Sequence, residues 1–218
     1  MGDSKSLMVS FNSILADKYY KQNYLEYIQN IKIGIAGMGG IGSNVMNALV
    51  RSGFCKFEII DYDIVEYSNL NRQLYFLDDI GKYKVDAIFD IMKKINPMID
   101  VIKHNVMLSS NNIQNYFSDA DFIFEAFDKV EYKKMILEHF GNTTKNIILS
   151  SGMAGLLNNN EIKIRKINSC HYVVGDEISA VNHENMPYAP RVLACASLMA
   201  SIALELTYKV FNLTNMDF

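Results

Sequence analysis

Gly37, Gly39 and Gly42 follow directly on an apolar run in IKIGIAGMGGIG (31–42) and fit the G-x-G-x-x-G pattern. Such glycines let the backbone turn tightly and approach a ligand, while free N–H groups at the start of the next helix face anionic oxygens. About twenty residues beyond Gly42 stands Asp61, the spacing at which a Rossmann-type unit sets a carboxylate against a ribose. The segment DYDIVEYSNLNRQLYF (61–76) then gathers Asp63, Ser68, Asn69, Asn71, Arg72 and Gln73, a composition typical of ligand-holding loops at the carboxyl end of a parallel sheet. Asp128 stands at the exit of the apolar run ADFIFEAF, where it either meets a ligand or caps the helix that follows. Taken singly, Arg72 and Lys84 read as solvated surface charges. The glycine pattern by itself serves a dehydrogenase as well as a phosphate-binding enzyme.

Strands are expected at 31–36, 56–61, 99–105, 120–127, 145–150 and 161–167, alternating with helical spacing over 41–53, 81–96, 109–117, 129–140 and 190–211. Ser109 is the expected cap of the 109–117 helix. This alternation predicts an α/β fold, Rossmann-like and doubly wound, with a mainly parallel sheet and flanking helices. The apolar residues of 11–30 recur at helical intervals, so residues 1–30 are read as an N-terminal helical extension and 31–218 as one domain. Residues 168–190 lack sustained periodicity and hold two of the chain's three prolines, which predicts a long crossover loop.

Half of the 218 residues are hydrophobic, enough for one substantial core. A net charge of -3 leaves no basic footprint for nucleic acid or an anionic membrane, and neither is expected as a partner. Cys55, Cys170 and Cys195 form no C-x-x-C pair, which argues against a disulfide framework and against zinc. His104, His139, His171 and His183 are scattered without ligand-like spacing. No secretory-type leader and no run of about eighteen apolar residues is evident, so a cytoplasmic location is expected.

GMGGIGS (37–43), DYDIVEYSNLNRQ (61–73), GKYKVDA (81–87), INP (95–97) and AFDKVE (126–131) occur in order within about the first 130 residues. With these motifs the chain resembles the ubiquitin-activating-type (E1-like) adenylating enzymes, and within them the bacterial ThiF and MoeB group. YVVGDE (172–177) and APRV (189–192) look more like a ThiF subgroup than like MoeB. The resemblance implies that ATP and Mg²⁺ are used to adenylate the C-terminal glycine of a small ubiquitin-like sulfur carrier. For ThiF that carrier is ThiS, in thiamine thiazole biosynthesis. A MoaD-like carrier is the first alternative, an NAD-dependent oxidoreductase the second, and a noncatalytic binding module the third.

Carried over by position, the resemblance implies that Gly37, Gly39, Gly40 and Gly42 back the nucleotide and that Asp61 accepts the ribose hydroxyls. Asp63, Ser68 and Asn71 belong to the same nucleotide-binding motif, while Asn69, Arg72 and Gln73 sit on the phosphates. Lys84 adds a positive charge and Asp128 helps hold Mg²⁺, so that Arg72, Lys84 and Asp128 form the catalytic set. The paired C-x-x-C zinc ligands of many relatives are absent, and residues 1–50 contain no arginine to reach a partner subunit's ATP. Lys18 and Lys21 are the candidate substitutes, and a homodimer is a candidate assembly. Cys170 falls where some relatives form a covalent bond to the carrier, although a passive loop cysteine is its default reading.

Overall fold

The computed structural model describes residues 10–156, 159–179 and 185–214. A seven-stranded sheet runs in the order β3-β2-β1-β4-β5-β7-β6. Its strands are β1 (Lys32–Ala36), β2 (Lys56–Ile60), β3 (Asp100–His104), β4 (Phe122–Glu125), β5 (Asn146–Ser150), β6 (Lys163–Lys166) and β7 (His171–Gly175). All neighbours pair in parallel except β6, which runs antiparallel to β7 at one edge. The central pairing sets Ile35 between Ile59 on β2 and Phe124 on β4. Both faces are covered, so the central strands read as nearly continuous apolar runs.

On one face lie α3 (Gly40–Arg51), α4 (Lys84–Ile95) and α6 (Ala189–Thr214), whose Met46, Ile88 and Met199 share a core with Ile33 and Ile35. On the other, α5 (Val130–Phe140) and the 107–117 segment enclose Ala36, Ile60 and Ile123 with Phe117, Ile136 and Phe140. The N-terminal segment is a helix pair, α1 (Phe11–Lys18) and α2 (Gln22–Asn30). Tyr24 of α2 packs edge-on to Tyr208 and Phe211 of α6, and its hydroxyl lies 3.2 Å from Thr207 Oγ1.

Two expectations need correction. The 109–117 helix shrinks to a single 3-10 turn, Ile113–Asn115. There the Ser109 N–H donates to Asn112 Oδ1 (2.8 Å) and the Asn112 amide donates to the Met107 carbonyl (3.0 Å), a local bonding pattern that competes with helix. The crossover loop does not begin at 168, because His171–Gly175 is a strand inserted between β5 and β6 with all five residues buried. A strand covered on both faces shows no alternation to read. The loop therefore starts after Gly175, and its residues 180–184, His183 among them, lie outside the described residues.

The C-terminal helix α6 is by length and composition long and apolar enough to cross a membrane. Ser197, Ser201 and Glu205 interrupt its sequence, so no continuous apolar run marks it. Its Val192, Cys195, Met199 and Ala203 are buried in the core shared with α3.

Candidate functional site

The sheet's switch point lies between β1 and β4: from β1 the chain runs out to β2 and β3, and from β4 it runs the other way. In open α/β sheets ligands bind in the crevice outside the carboxyl ends of strands at such a point. Here the glycine turn fills that position. Gly37 adopts φ +99°, and its N–H donates to the Ile60 carbonyl (2.8 Å). Gly42 lies so close to the turn that an added Cβ would sit 1.8 Å from the Gly37 carbonyl oxygen. The first turn of α3 therefore rests directly on the strand exit, and α3 begins at Gly40 with no side-chain cap bond from Gly39. Helix N–H groups left without side-chain acceptors make that end receptive to an anion.

An open cleft of about 440 Å³ spreads from this turn across the ends of β4, β5 and β7. Four of the expected residues line it: Gly40, Arg72, Gln73 and Asp128. The Arg72 guanidinium Nη1 donates to the Ser68 carbonyl (3.1 Å) and to Asn71 Oδ1 (2.8 Å), which explains why Ser68 and Asn71 belong to this loop. The Asn44 amide donates to the carbonyls of Gly40 (2.7 Å) and Arg72 (3.0 Å), stitching loop to helix. Gln73 Oε1 is buried and accepts no hydrogen bond among the described residues. A buried amide oxygen without a donor costs free energy, which a water or a ligand that donates a hydrogen bond would remove.

Asn69 is placed differently from a phosphate contact. It is buried, its Oδ1 accepts the Glu66 N–H (3.1 Å), and its carbonyl accepts the N–H groups of Arg72 and Gln73. It shapes the loop that presents those two side chains. Asp61 is buried beside the glycine turn: its Oδ2 accepts the Met38 N–H (2.6 Å) and its Oδ1 the Asp63 N–H (2.8 Å). Burial pushes the Asp61 carboxyl up, opposed by the Lys84 charge and these two N–H bonds. The Lys84 ammonium is buried too and pairs with Asp63 Oδ2 at 2.7 Å rather than lining the cleft. Tyr75 closes the cluster by donating its hydroxyl to the Met38 carbonyl (2.7 Å).

Asp128 is exposed at the cleft wall. The helix after it starts at Val130 with Lys129 at the N-cap, so Asp128 is not that helix's cap. Among the described residues no group of three or more His, Cys, Asp or Glu side chains is placed to hold a metal. One accessible carboxylate suits a Mg²⁺ that takes its other ligands from phosphates and water. Lys18 and Lys21 are exposed, and neither lines the cleft.

Cys170 lies at the turn into β7, where its carbonyl accepts the Ile147 N–H (2.9 Å) near the start of β5. The cleft opens at the far end of that parallel pair, around Ser150 and Ser151, so this thiol is on the opposite edge of the sheet. The geometry thus removes Cys170 from chemistry in the cleft. Burial pushes the Cys195 thiol up to about 12 and the Cys55 thiol up as well.

One pair escaped the sequence reading. Glu125, fully buried at the end of β4, receives the Lys133 ammonium (2.6 Å) on Oε2 and the Phe127 N–H (2.9 Å) on Oε1. Burial lifts its carboxyl to about 7, against the pull of Lys133. The one available signal is a glutamate embedded in the apolar run FIFEAF.

Comparison with known proteins agrees with this architecture. The chain is 30% identical over 149 residues to the tRNA threonylcarbamoyladenosine dehydratase of Bacillus subtilis, an alignment covering 67% of this chain and 59% of that protein. It is 26% identical over 199 residues to the adenylyltransferase and sulfurtransferase UBA4 of Candida glabrata, covering 87% of this chain and 45% of that one. It thus spans between 45% and 59% of the length of these relatives. Among solved structures, E. coli tRNA N6-threonylcarbamoyladenosine dehydratase, TcdA, in complex with ATP superposes with a TM-score of 0.83. That match has 19% identity and covers 97% of this chain and 99% of that chain, which shows the shared fold. A family model described as the ThiF family matches residues 12–214, and the protein belongs to the ThiF family.

Proposed function

We propose that this protein adenylates a carboxylate: ATP lies across the glycine turn, and a substrate carboxylate attacks its α-phosphorus to give an acyl-adenylate and pyrophosphate. The observation that carries this reading is the switch-point cleft, where Arg72, Gln73 and Asp128 converge on the start of α3. Each Asp61 oxygen keeps a lone pair beyond its backbone bond, enough to accept ribose hydroxyls. Arg72 offers planar donors for phosphate oxygens, while the orphaned Gln73 Oε1, an acceptor, is met by a donor such as a nucleotide hydroxyl or a bound water. Asp128 would hold a Mg²⁺, which when bound would supply charge neutralisation to the phosphates. The protein's own task is to align two anions and offset their repulsion.

For the acceptor, the lead reading is the C-terminal glycine of a ubiquitin-like sulfur carrier, ThiS-like or MoaD-like. The far half of the cleft, at Ser150, Ser151 and Gly152, is lined by small residues, with the nearby Glu177 carboxylate paired to Arg165, which suits an extended Gly-Gly tail. The acidic net charge favours a protein over a nucleic acid. A second reading rests on the 30% identity to the dehydratase: the carboxylate is that of threonylcarbamoyladenosine in tRNA. An oxidoreductase is disfavoured, since hydride transfer has no use for this phosphate-directed loop.

ATP–pyrophosphate exchange decides between them. Exchange stimulated by a carrier ending in Gly-Gly supports the lead, and AMP release with threonylcarbamoyladenosine-bearing tRNA alone supports the second. Neither signal, with protein that is folded, refutes adenylation. Asp128→Asn and Arg72→Ala should each lower exchange about a hundredfold or more. Unchanged rates would remove these residues from the site.

A further inference from the structure

We infer that Lys133 is the second cation of the nucleotide cleft, donating to the phosphates alongside Arg72. This rests on the ATP reading above. Arg72 and Lys84 are the cations expected on the phosphates, yet only Arg72 lines the cleft, while Lys84 is buried against Asp63. Among the described residues, the cationic side chains that face the cleft are Arg72, on the loop after β2, and Lys133, in α5.

Lys133 is held in place from below. Its ammonium donates to Glu125 Oε2 (2.6 Å) and to the Phe127 carbonyl (2.8 Å), using two of its three N–H bonds. Glu125 also takes the Phe127 N–H, so carboxylate and ammonium together clasp both backbone groups of the residue preceding Asp128. The Lys133 side chain is 19% exposed and Glu125 has no exposure, so the pair presents only its cationic end to the cleft. A flexible lysine stem normally pays an ordering cost when it meets an anion; here that order exists beforehand. Among the described residues, three other charges face the same space. Glu177 is neutralised by a two-bonded Arg165 (2.7 and 2.6 Å), while Asp128 and Arg72 form no ion pair with each other. A polyanion entering beside Asp128 therefore meets Arg72 on one wall and Lys133 on the other.

The test is calorimetric binding of ATP and of adenosine to wild type, Lys133→Met, Lys133→Arg and the double variant Glu125→Gln/Lys133→Met. The double variant removes the buried carboxylate that the single change would strand, and circular dichroism checks each fold. The expected result is ATP affinity lower by about tenfold or more in both Met variants, within roughly threefold of wild type in Lys133→Arg, and adenosine affinity unchanged throughout. Equal losses for ATP and adenosine would reduce Lys133 to a structural clasp and overturn the inference. Unchanged ATP affinity in the folded double variant would overturn it as well. Wild type that binds no ATP would instead defeat the adenylation reading, and this inference with it.

Discussion

Alanine at Gly42 places a methyl carbon 1.8 Å from the Gly37 carbonyl oxygen, 2.9 Å from the Gly37 carbonyl carbon and 3.1 Å from Met38 Cε. Carbon–oxygen contacts settle at about 3.3–3.6 Å, so helix and turn must separate by roughly 1.5 Å. Two effects compete. Glycine to alanine within a helix gains about 1 kcal/mol in propensity. Overpacking a close-packed site costs about 1–3 kcal/mol, and here the obstacle is backbone, which cannot rotate aside. A backbone obstacle puts the cost at the upper end, about 2–3 kcal/mol, so overpacking wins with a net loss of roughly 1–2 kcal/mol and a Tm lower by about 2–8 °C for a chain of this size. Because the displaced groups are the turn and the start of α3, ATP affinity should fall with stability. Gly40→Ala is the internal control: its methyl would meet Val192 Cγ1 at 3.1 Å and Arg72 Cγ at 3.5 Å, side-chain atoms that can yield. It should leave Tm within about 2 °C of wild type. Differential scanning calorimetry on both variants checks the argument, and a Gly42→Ala protein melting at or above Gly40→Ala would refute it.

Other expectations follow from the same geometry. The Lys84–Asp63 pair is lopsided, with side-chain exposures of 7% and 47%. Asp63→Ala strands a buried ammonium and should cost about 1–3 kcal/mol; urea denaturation showing no loss would contradict the burial argument. In the folded protein a thiol reagent at pH 7–9 should modify only Cys170, because burial holds Cys195 up at about 12 and raises Cys55 as well. Mass analysis showing rapid labelling of either buried thiol would contradict this. Glu125 gives a pH signature. Its folded pKa of about 7 exceeds the ordinary glutamate value, so the folded state holds a proton that the unfolded chain releases between about pH 4.5 and 7. Its contribution to stability therefore declines as pH rises through that window, by at most about 1.4 kcal/mol per unit. Urea denaturation of Glu125→Gln from pH 5 to 8 should lack that decline; parallel curves for variant and wild type would refute it.

The sequence made the first half of the sheet legible because its signals are local. Ile33 and Ile35 delivered into Gly37, with Asp61 at Rossmann spacing, specify a βαβ unit within about thirty residues. Illegible features are those decided by distant partners. HYVVG becomes a central strand only because β5 and β6 bracket it, and burial on both faces erases the alternation that would announce it. The 109–117 stretch carries apolar residues at Ile113 and Phe117, a helical interval, but the Asn112 side chain bonds the local backbone first. In the site, residue types were legible and their partners were not. Lys84 belongs to a recognisable motif, yet nothing in GKYKVDA reveals that Asp63 neutralises it. Glu125 and Lys133 come together because α5 returns its second turn over the end of β4, a relation fixed by the fold and not by either residue's neighbours.

Among the described residues, three ion pairs with a buried member stand at the carboxyl ends of strands around the cleft: Lys84 with Asp63 after β2, Lys133 with Glu125 at the end of β4, and Arg191 with Asp176 after β7. Each ties the first turns of a helix to the exit of a strand. Stability is a poor account of them, since a buried pair often contributes no more than well-packed apolar residues of the same volume. What an apolar pair lacks is direction. A charge-assisted hydrogen bond fixes distance and angle, so these pairs set where α4, α5 and α6 begin relative to the strand ends. The cleft is the space between those beginnings. Its shape therefore depends on three bonds whose atoms lie mostly beneath its surface, and under the proposed adenylation the glycine turn would serve as a phosphate floor only while they hold the walls in register.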